Sequence, residues 1–165
     1  MGEGLRTHLL LGGLAGGAAT VVMTISMTRM HQSLPANLRY PLPPKEIIDV
    51  AFNGRSQEAK KDLAMLGHFL YGAVAGALLA SLDPRIKPSA AAGGGIAVWA
   101  VSYLGWVPRI RILTPPANHP APRTTLMVAA HAVWGAATAL ILSELTDARR
   151  TILCAGPSLD ARRNI

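Results

Sequence analysis

The run Leu63-Ala-Met-Leu-Gly-His68-Phe-Leu-Tyr-Gly72-Ala-Val-Ala-Gly76-Ala-Leu-Leu-Ala-Ser-Leu82 contains no Asp, Glu, Lys or Arg. A helix of about 20 residues, rising 1.5 Å per residue, crosses a hydrocarbon core about 30 Å thick. Windows 9–28, 89–107 and 124–143 read the same way. All 16 Lys and Arg and all 9 Asp and Glu lie outside the four windows, where random mixing would have put about a dozen of them inside. The expected architecture is therefore all-α: a polytopic membrane four-helix bundle with spans 9–28, 63–82, 89–107 and 124–143, in one domain over residues 1–165.

Composition agrees. Half of the chain is AVILMFWYC, too apolar for an ordinary soluble domain. That excludes a soluble globule, a disordered tail and a disulfide scaffold, since Cys154 is the one cysteine and has no internal partner. A net charge of +7 would point to nucleic acid in a soluble protein. Here the basic residues flank apolar windows, so the bilayer's anionic head groups are the natural partner and a nucleic-acid reader is excluded. They divide almost evenly between the two sides, which leaves orientation open. The first window exceeds a signal-peptide core and precedes no small-x-small cleavage site, so it is expected to stay as a helix.

Between the windows the chain is punctuated by proline. The loop after Arg29 carries Pro41-Leu-Pro-Pro44, then a stretch from Lys45 to Asp62 in which Ile47, Ile48, Ala51 and Phe52 form the apolar side of a short helix. That stretch reads equally as a membrane-surface helix or a solvated connector. Five residues, Asp83 to Lys87, link the second and third windows, which predicts antiparallel neighbours. Tyr103 and Trp106 stand near the end of the third, at the height of the head groups. Residues 144–165 read as a loosely ordered basic tail.

The halves resemble each other. His68-Phe-Leu-Tyr-Gly72-Ala in the first corresponds to His131-Ala-Val-Trp-Gly135-Ala in the second, and each follows a Gly-rich window and a proline turn, Pro41–Pro44 and Leu113-Thr-Pro-Pro116. Two repeats, about 9–82 and 89–143, would relate equivalent helices by an axis along the membrane normal. Small residues at four-residue spacing mark helix-packing faces: Gly12, Gly16, Thr20 and Thr24, then Gly72 and Gly76, then Gly135. Membrane helices associate by close backbone approach over such residues, and the same faces suit a membrane-protein partner or a homo-oligomer.

Pro41–Pro44 followed by Lys45, the Gly67-His68 pair with aromatics after it, Leu113–Pro116 and His131-Ala-Val-Trp134 together resemble the YagU-like family of uncharacterised bacterial inner-membrane proteins. The resemblance covers Pro41 to about Ser143 and implies a multi-pass inner-membrane setting without an assigned activity. The chain is shorter than the family between Lys45 and His68.

Apart from Tyr71 and Tyr103, His68 and His131 are the titratable groups well inside the windows. A polar side chain in hydrocarbon is costly and faces the protein interior, so both are candidates for function. Three readings stand side by side. In the first the histidines are structural, bonded to a facing carbonyl, to Thr20 or Thr24, or to each other, with Tyr71 and Trp134 packed nearby. In the second the two imidazoles hold a metal ion or haem b; no carboxylate or thiol at that depth completes a zinc site. In the third they line a path for protons or a small solute. Arg109, Arg111 and Arg123 are candidates for binding lipid head groups. No Gly-x-Ser-x-Gly, phosphate loop, His-Glu-x-x-His or Cys-x-x-Cys occurs, so the expectation leans away from an enzyme and toward a small membrane module that binds or conducts a ligand or assembles with partners.

Overall fold

The computed structural model describes residues 2–39, 47–49, 51–52, 54–106 and 120–152. Four long helices account for most of them: α1 (Gly2–Ser33), α2 (Gln57–Leu82), α3 (Pro88–Ala100) and α4 (Ala121–Thr151). Helix α3 continues into a π-helical turn, Val101–Trp106. Among the described residues there is no strand. Three helices, α1, α2 and α4, are long and apolar enough to cross a membrane. The α-helical part of α3 has 13 residues, about 20 Å, and the π turn carries it further.

The helix ends follow local chemistry. Ser56 caps α2 by accepting the Ala59 N–H at 3.3 Å, and α2 stops at Asp83 because Pro84 has no N–H to continue the ladder. Helix α3 opens on Pro88 and α4 has Pro122 in its first turn, where a missing donor is harmless. Arg39 folds back beyond α1, its guanidinium donating to the carbonyls of Leu34 at 2.8 Å and Gln32 at 2.6 Å. Helices α1 and α4 run well past their charge-free windows. Residues 144–151, expected to be loose, continue α4, with Arg149 and Arg150 in the last turn against the negative end of the helix dipole. Residues 153–165 lie outside the described residues.

Packing is organised by small residues. Along α1 and α2 the backbones touch at Gly12, Gly16, Gly72 and Gly76. A Cβ added at Gly12 would stand 2.6 Å from the Gly76 carbonyl oxygen, and one at Gly76 would stand 2.6 Å from Gly16 Cα. Helices α3 and α4 meet in the same manner: a Cβ on Gly95 would land on the His131 carbonyl, and one on Gly135 on the Ala91 carbonyl. All five glycines expected on packing faces thus lie in helix seams, and Gly95 joins them. The two hairpins meet through α1 and α4, where Ala19, Met23 and Met27 pack with Leu126, Met127, Ala130 and Trp134. The Trp134 indole N–H donates across this seam to the Gly16 carbonyl at 3.1 Å.

The expectation that the second and third spans are close neighbours needs correction. Helices α2 and α3 touch chiefly near their link, where Leu79 Cδ1 approaches Gly94, and through one hydrogen bond higher up. The reason is geometric. A five-residue link reaches about 17 Å when extended, roughly twice the 8–10 Å spacing of packed helices. The link therefore tolerates a gap, and the glycine faces of α2 and α3 are already engaged with α1 and α4. Facing outward are Leu10 and Leu14 on α1 and Leu66, Leu70, Val74 and Leu78 on α2, all exposed, as suits helices surrounded by lipid tails.

Candidate functional site

All four helices line a cavity of about 250 Å³ beside the place where α2 and α3 stand apart. Both candidate histidines stand on its wall, His68 on α2 and His131 on α4. Each is placed by a seam glycine one turn on, Gly72 and Gly135, which brings its helix against the partner of its own hairpin.

The two imidazoles differ. His131 Nδ1 lies 2.7 Å from the Met127 carbonyl oxygen, and a carbonyl only accepts, so Nδ1 carries the proton. Nε2 of His131 is then left with a lone pair. His68 Nε2 is buried with no hydrogen-bond partner, and so is the indole nitrogen of Trp99 on α3, another wall residue. Two buried nitrogens of this kind in residues that line one cavity are unusual, because an unmet buried polar group costs about 1–3 kcal/mol.

Aromatic side chains form one wall. Trp99 stacks on Tyr103 with ring centroids 5.8 Å apart and planes 21° from parallel. Tyr103, expected at the head groups, is buried; four-residue spacing places it on the same face as Trp99, turned inward. Between α2 and the turn that follows α3, the hydroxyls of Tyr71 and Ser102 are hydrogen-bonded. Ser102 donates its own proton to the Val98 carbonyl at 2.8 Å, so Tyr71 is the donor to Ser102 and α2 is tied to α3 by a short polar chain. Met23, Met27 and Met127 line the remainder. From the stretch after the first proline turn, residues 47–49 are helical and Ile47 and Ile48 also reach the wall. Lys60, buried at the start of α2, pairs with Asp49 at 3.6 Å and fixes this segment. Of its apolar residues, Ile47 and Ile48 face the cavity while Ala51 and Phe52 are exposed.

The remaining sequence candidates fall in several places. Thr20 lines the cavity, but its hydroxyl donates to the Gly16 carbonyl at 2.8 Å. Trp134 lines it too, with its N–H already engaged at Gly16. Thr24 is not on the wall: the α1 face there runs Thr20, Met23, Met27, and Thr24 is turned aside, its hydroxyl on the Thr20 carbonyl at 2.7 Å. Arg123 is 7% exposed rather than spread toward lipid, because its spacing to Met127, Ala130 and Trp134 puts it on the inward face of α4. Arg109 and Arg111 lie outside the described residues. Sequence reasoning missed Trp99, Ser102 and the three methionines. The four-residue spacing of Trp99 and Tyr103 was the available signal.

Among the described residues no group of three or more His, Cys, Asp or Glu could hold a metal ion. Comparison with protein-family models, with curated proteins and with solved structures finds no match to this chain.

Proposed function

We propose that this chain is a multi-pass protein of the bacterial inner membrane, built of two repeated helical hairpins, which binds a small and mostly apolar ligand in the cavity between them. The observation that carries this reading is a mostly apolar cavity of about 250 Å³ whose lining includes His68 and Trp99, two residues with a buried nitrogen that has no hydrogen-bond partner. Native interiors rarely leave such atoms unmet, and ligand pockets combine apolar walls with a few convergent polar groups. The like-built seams of the two hairpins support the repeat. The role is that of a binding module.

Bromobenzene is a suitable first probe in protein reconstituted into lipid nanodiscs, because apolar cavities of comparable size take benzene and bromine quenches tryptophan fluorescence. Saturable quenching is expected on top of the linear part due to lipid partitioning. Gly67 lines the cavity, and a Cβ there meets nothing within 4 Å, so Gly67→Phe should fill the space and abolish the saturable part. Purely linear quenching, equal in both proteins, would remove the reading.

A second reading has its own support. Metal-ligating histidines nearly always donate their other ring N–H to a fixed acceptor, as His131 does to Met127, and thioethers favour soft ions. A metal ion between the imidazoles predicts stoichiometric metal in purified protein, lost in His131→Ala. Haem b fits poorly, since a cavity of about 250 Å³ equals only about eight water volumes, too little for a porphyrin.

A further inference from the structure

Most of the described cavity wall belongs to the four long helices and the turn that continues α3. Those helices are seated backbone to backbone, α1 on α2 at Gly16, Gly72 and Gly76 and α3 on α4 at Gly95 and Gly135. None of them can swing away without opening a seam. Ile47 and Ile48 are different, because they come from the short stretch before α2, residues 47–49 with 51 and 52. The backbone hydrogen bonds described there are local, from the Phe52 N–H to the Ile48 carbonyl at 2.9 Å and from the Arg55 N–H to the Phe52 carbonyl at 3.1 Å. Ala51 and Phe52 are exposed. In the turn that leads on to α2, a Cβ at Gly54 would meet nothing within 4 Å, and glycine there allows the backbone rotation of a pivot.

A charge pair seats the stretch. Lys60 Nζ lies 3.6 Å from Asp49 Oδ1, with the two side chains 7% and 32% exposed, and a pair drawn out of water attracts more strongly and is screened less by salt than one on the surface. Its position on α2 gives it a role beyond anchoring. Ala64, Gly67, His68, Tyr71 and Ala75 line the cavity at the spacing of a single helix face. Lys60 stands on that face one turn nearer the helix start, beside Glu58, Lys61 and Asp62 and outside the charge-free window. The pair therefore marks the end of the cavity nearest the head groups and water, and Ile48, next in the chain to Asp49, enters the wall from that end.

We propose that residues 47–49, 51 and 52 form a hinged strap over the aqueous end of the cavity, latched by Lys60 and Asp49, and that release of the latch admits small water-soluble molecules. The strap governs access and acts whatever the cavity binds.

The test reads water access to a thiol inside the cavity. In a full chain carrying Cys154→Ser, Ala75→Cys places the reporter at a cavity-lining position that is 8% exposed. The protein is reconstituted into nanodiscs, which leave both membrane faces open to a permanently charged trimethylammonium-ethyl methanethiosulfonate reagent. Val74→Cys, on the outer face of α2, is the control, since a charged reagent does not reach a thiol among lipid tails. With the latch intact, labelling of Ala75→Cys is expected to be slow. Lys60→Met removes the cation and keeps the chain length, Asp49→Asn removes the anion, and each should speed labelling by about tenfold or more, because a partly buried pair is worth more than an exposed one. Val74→Cys should stay slow in all of them. Circular dichroism checks the helix content of each variant, and Asp49→Asn, which lies outside the long helices, carries the test alone if Lys60→Met does not fold. Fast labelling with the latch intact, acceleration in only one of two folded variants, no acceleration in either, or the same acceleration at Val74→Cys overturns the strap. Labelling uses no cavity ligand, so the strap and the ligand reading stand or fall separately.

Discussion

Replacing Gly76 by Ala puts a methyl group where the backbones of α1 and α2 meet. Its Cβ would stand 2.6 Å from Gly16 Cα and 2.9 Å from Gly16 N, whereas ordinary contacts begin at 3.4 Å. Backbone atoms cannot rotate away as a side-chain tip can, so the helices must part by about 1 Å, and a gap of that size forfeits about a quarter to a half of the dispersion energy of each atom pair along the seam. Overpacking of this kind costs about 1–3 kcal/mol. Against it stands about 1 kcal/mol gained by replacing a helical glycine with alanine. The net expectation is a loss of up to about 2 kcal/mol. Gly17→Ala is the matched control. Its nearest neighbour outside the local helix would be Ala73 Cβ at 3.8 Å, an ordinary contact, so only the propensity gain applies and the variant should be more stable by about 0.5–1 kcal/mol. The two substitutions are chemically identical and opposite in sign. Reversible unfolding in mixed micelles at increasing SDS fraction, followed by circular dichroism, should separate them by about 2 kcal/mol. Gly76→Ala as stable as Gly17→Ala would refute the close seam and the helix pairing built on it.

The second hairpin carries a parallel prediction: Gly135→Ala, whose Cβ would land on the Ala91 carbonyl, should lose amide-exchange protection along α3, while Gly93→Ala, which meets nothing within 4 Å, should keep it. Equal protection in both would show that α3 does not seat on α4 as described. Trp134→Phe removes the indole donor from the Gly16 carbonyl, which keeps its bond from Thr20, so the loss should stay within about 0.6–1.7 kcal/mol in the same micelle assay; a change several-fold larger would mean that Trp134 holds more than this seam. Tyr71→Phe removes the hydrogen bond to Ser102, and spin labels at the exposed positions Val74 and Val101 should then give a broader and longer distance distribution. An unchanged distribution would show that the hydroxyl chain does not hold α2 to α3.

The helices were legible because hydrocarbon allows no charge along a span, and that constraint is written residue by residue. Their ends were less so. Apolar length tracks bilayer thickness, whereas α1 and α4 extend through Arg29 and Arg149, since a helix does not stop where lipid tails stop. The packing glycines were legible from spacing, and a polar side chain inside an apolar window marked His68 and His131, which line one cavity. What failed was partner choice. Gly72 and Gly95 each find a facing backbone on α1 and α4, and nothing local to Asp83–Lys87 reveals that α2 and α3 stay apart. The π turn after Ala100 was equally hidden, as the apolar run Val101–Trp106 has no period that distinguishes it from an α-helix.

The hairpins are joined along α1 and α4, and among the described residues α2 and α3 meet chiefly near their link and through the hydroxyls of Tyr71 and Ser102. A change in the spacing of α2 and α3 would therefore leave the helix ladders intact and alter the cross-section of the bundle rather than its length.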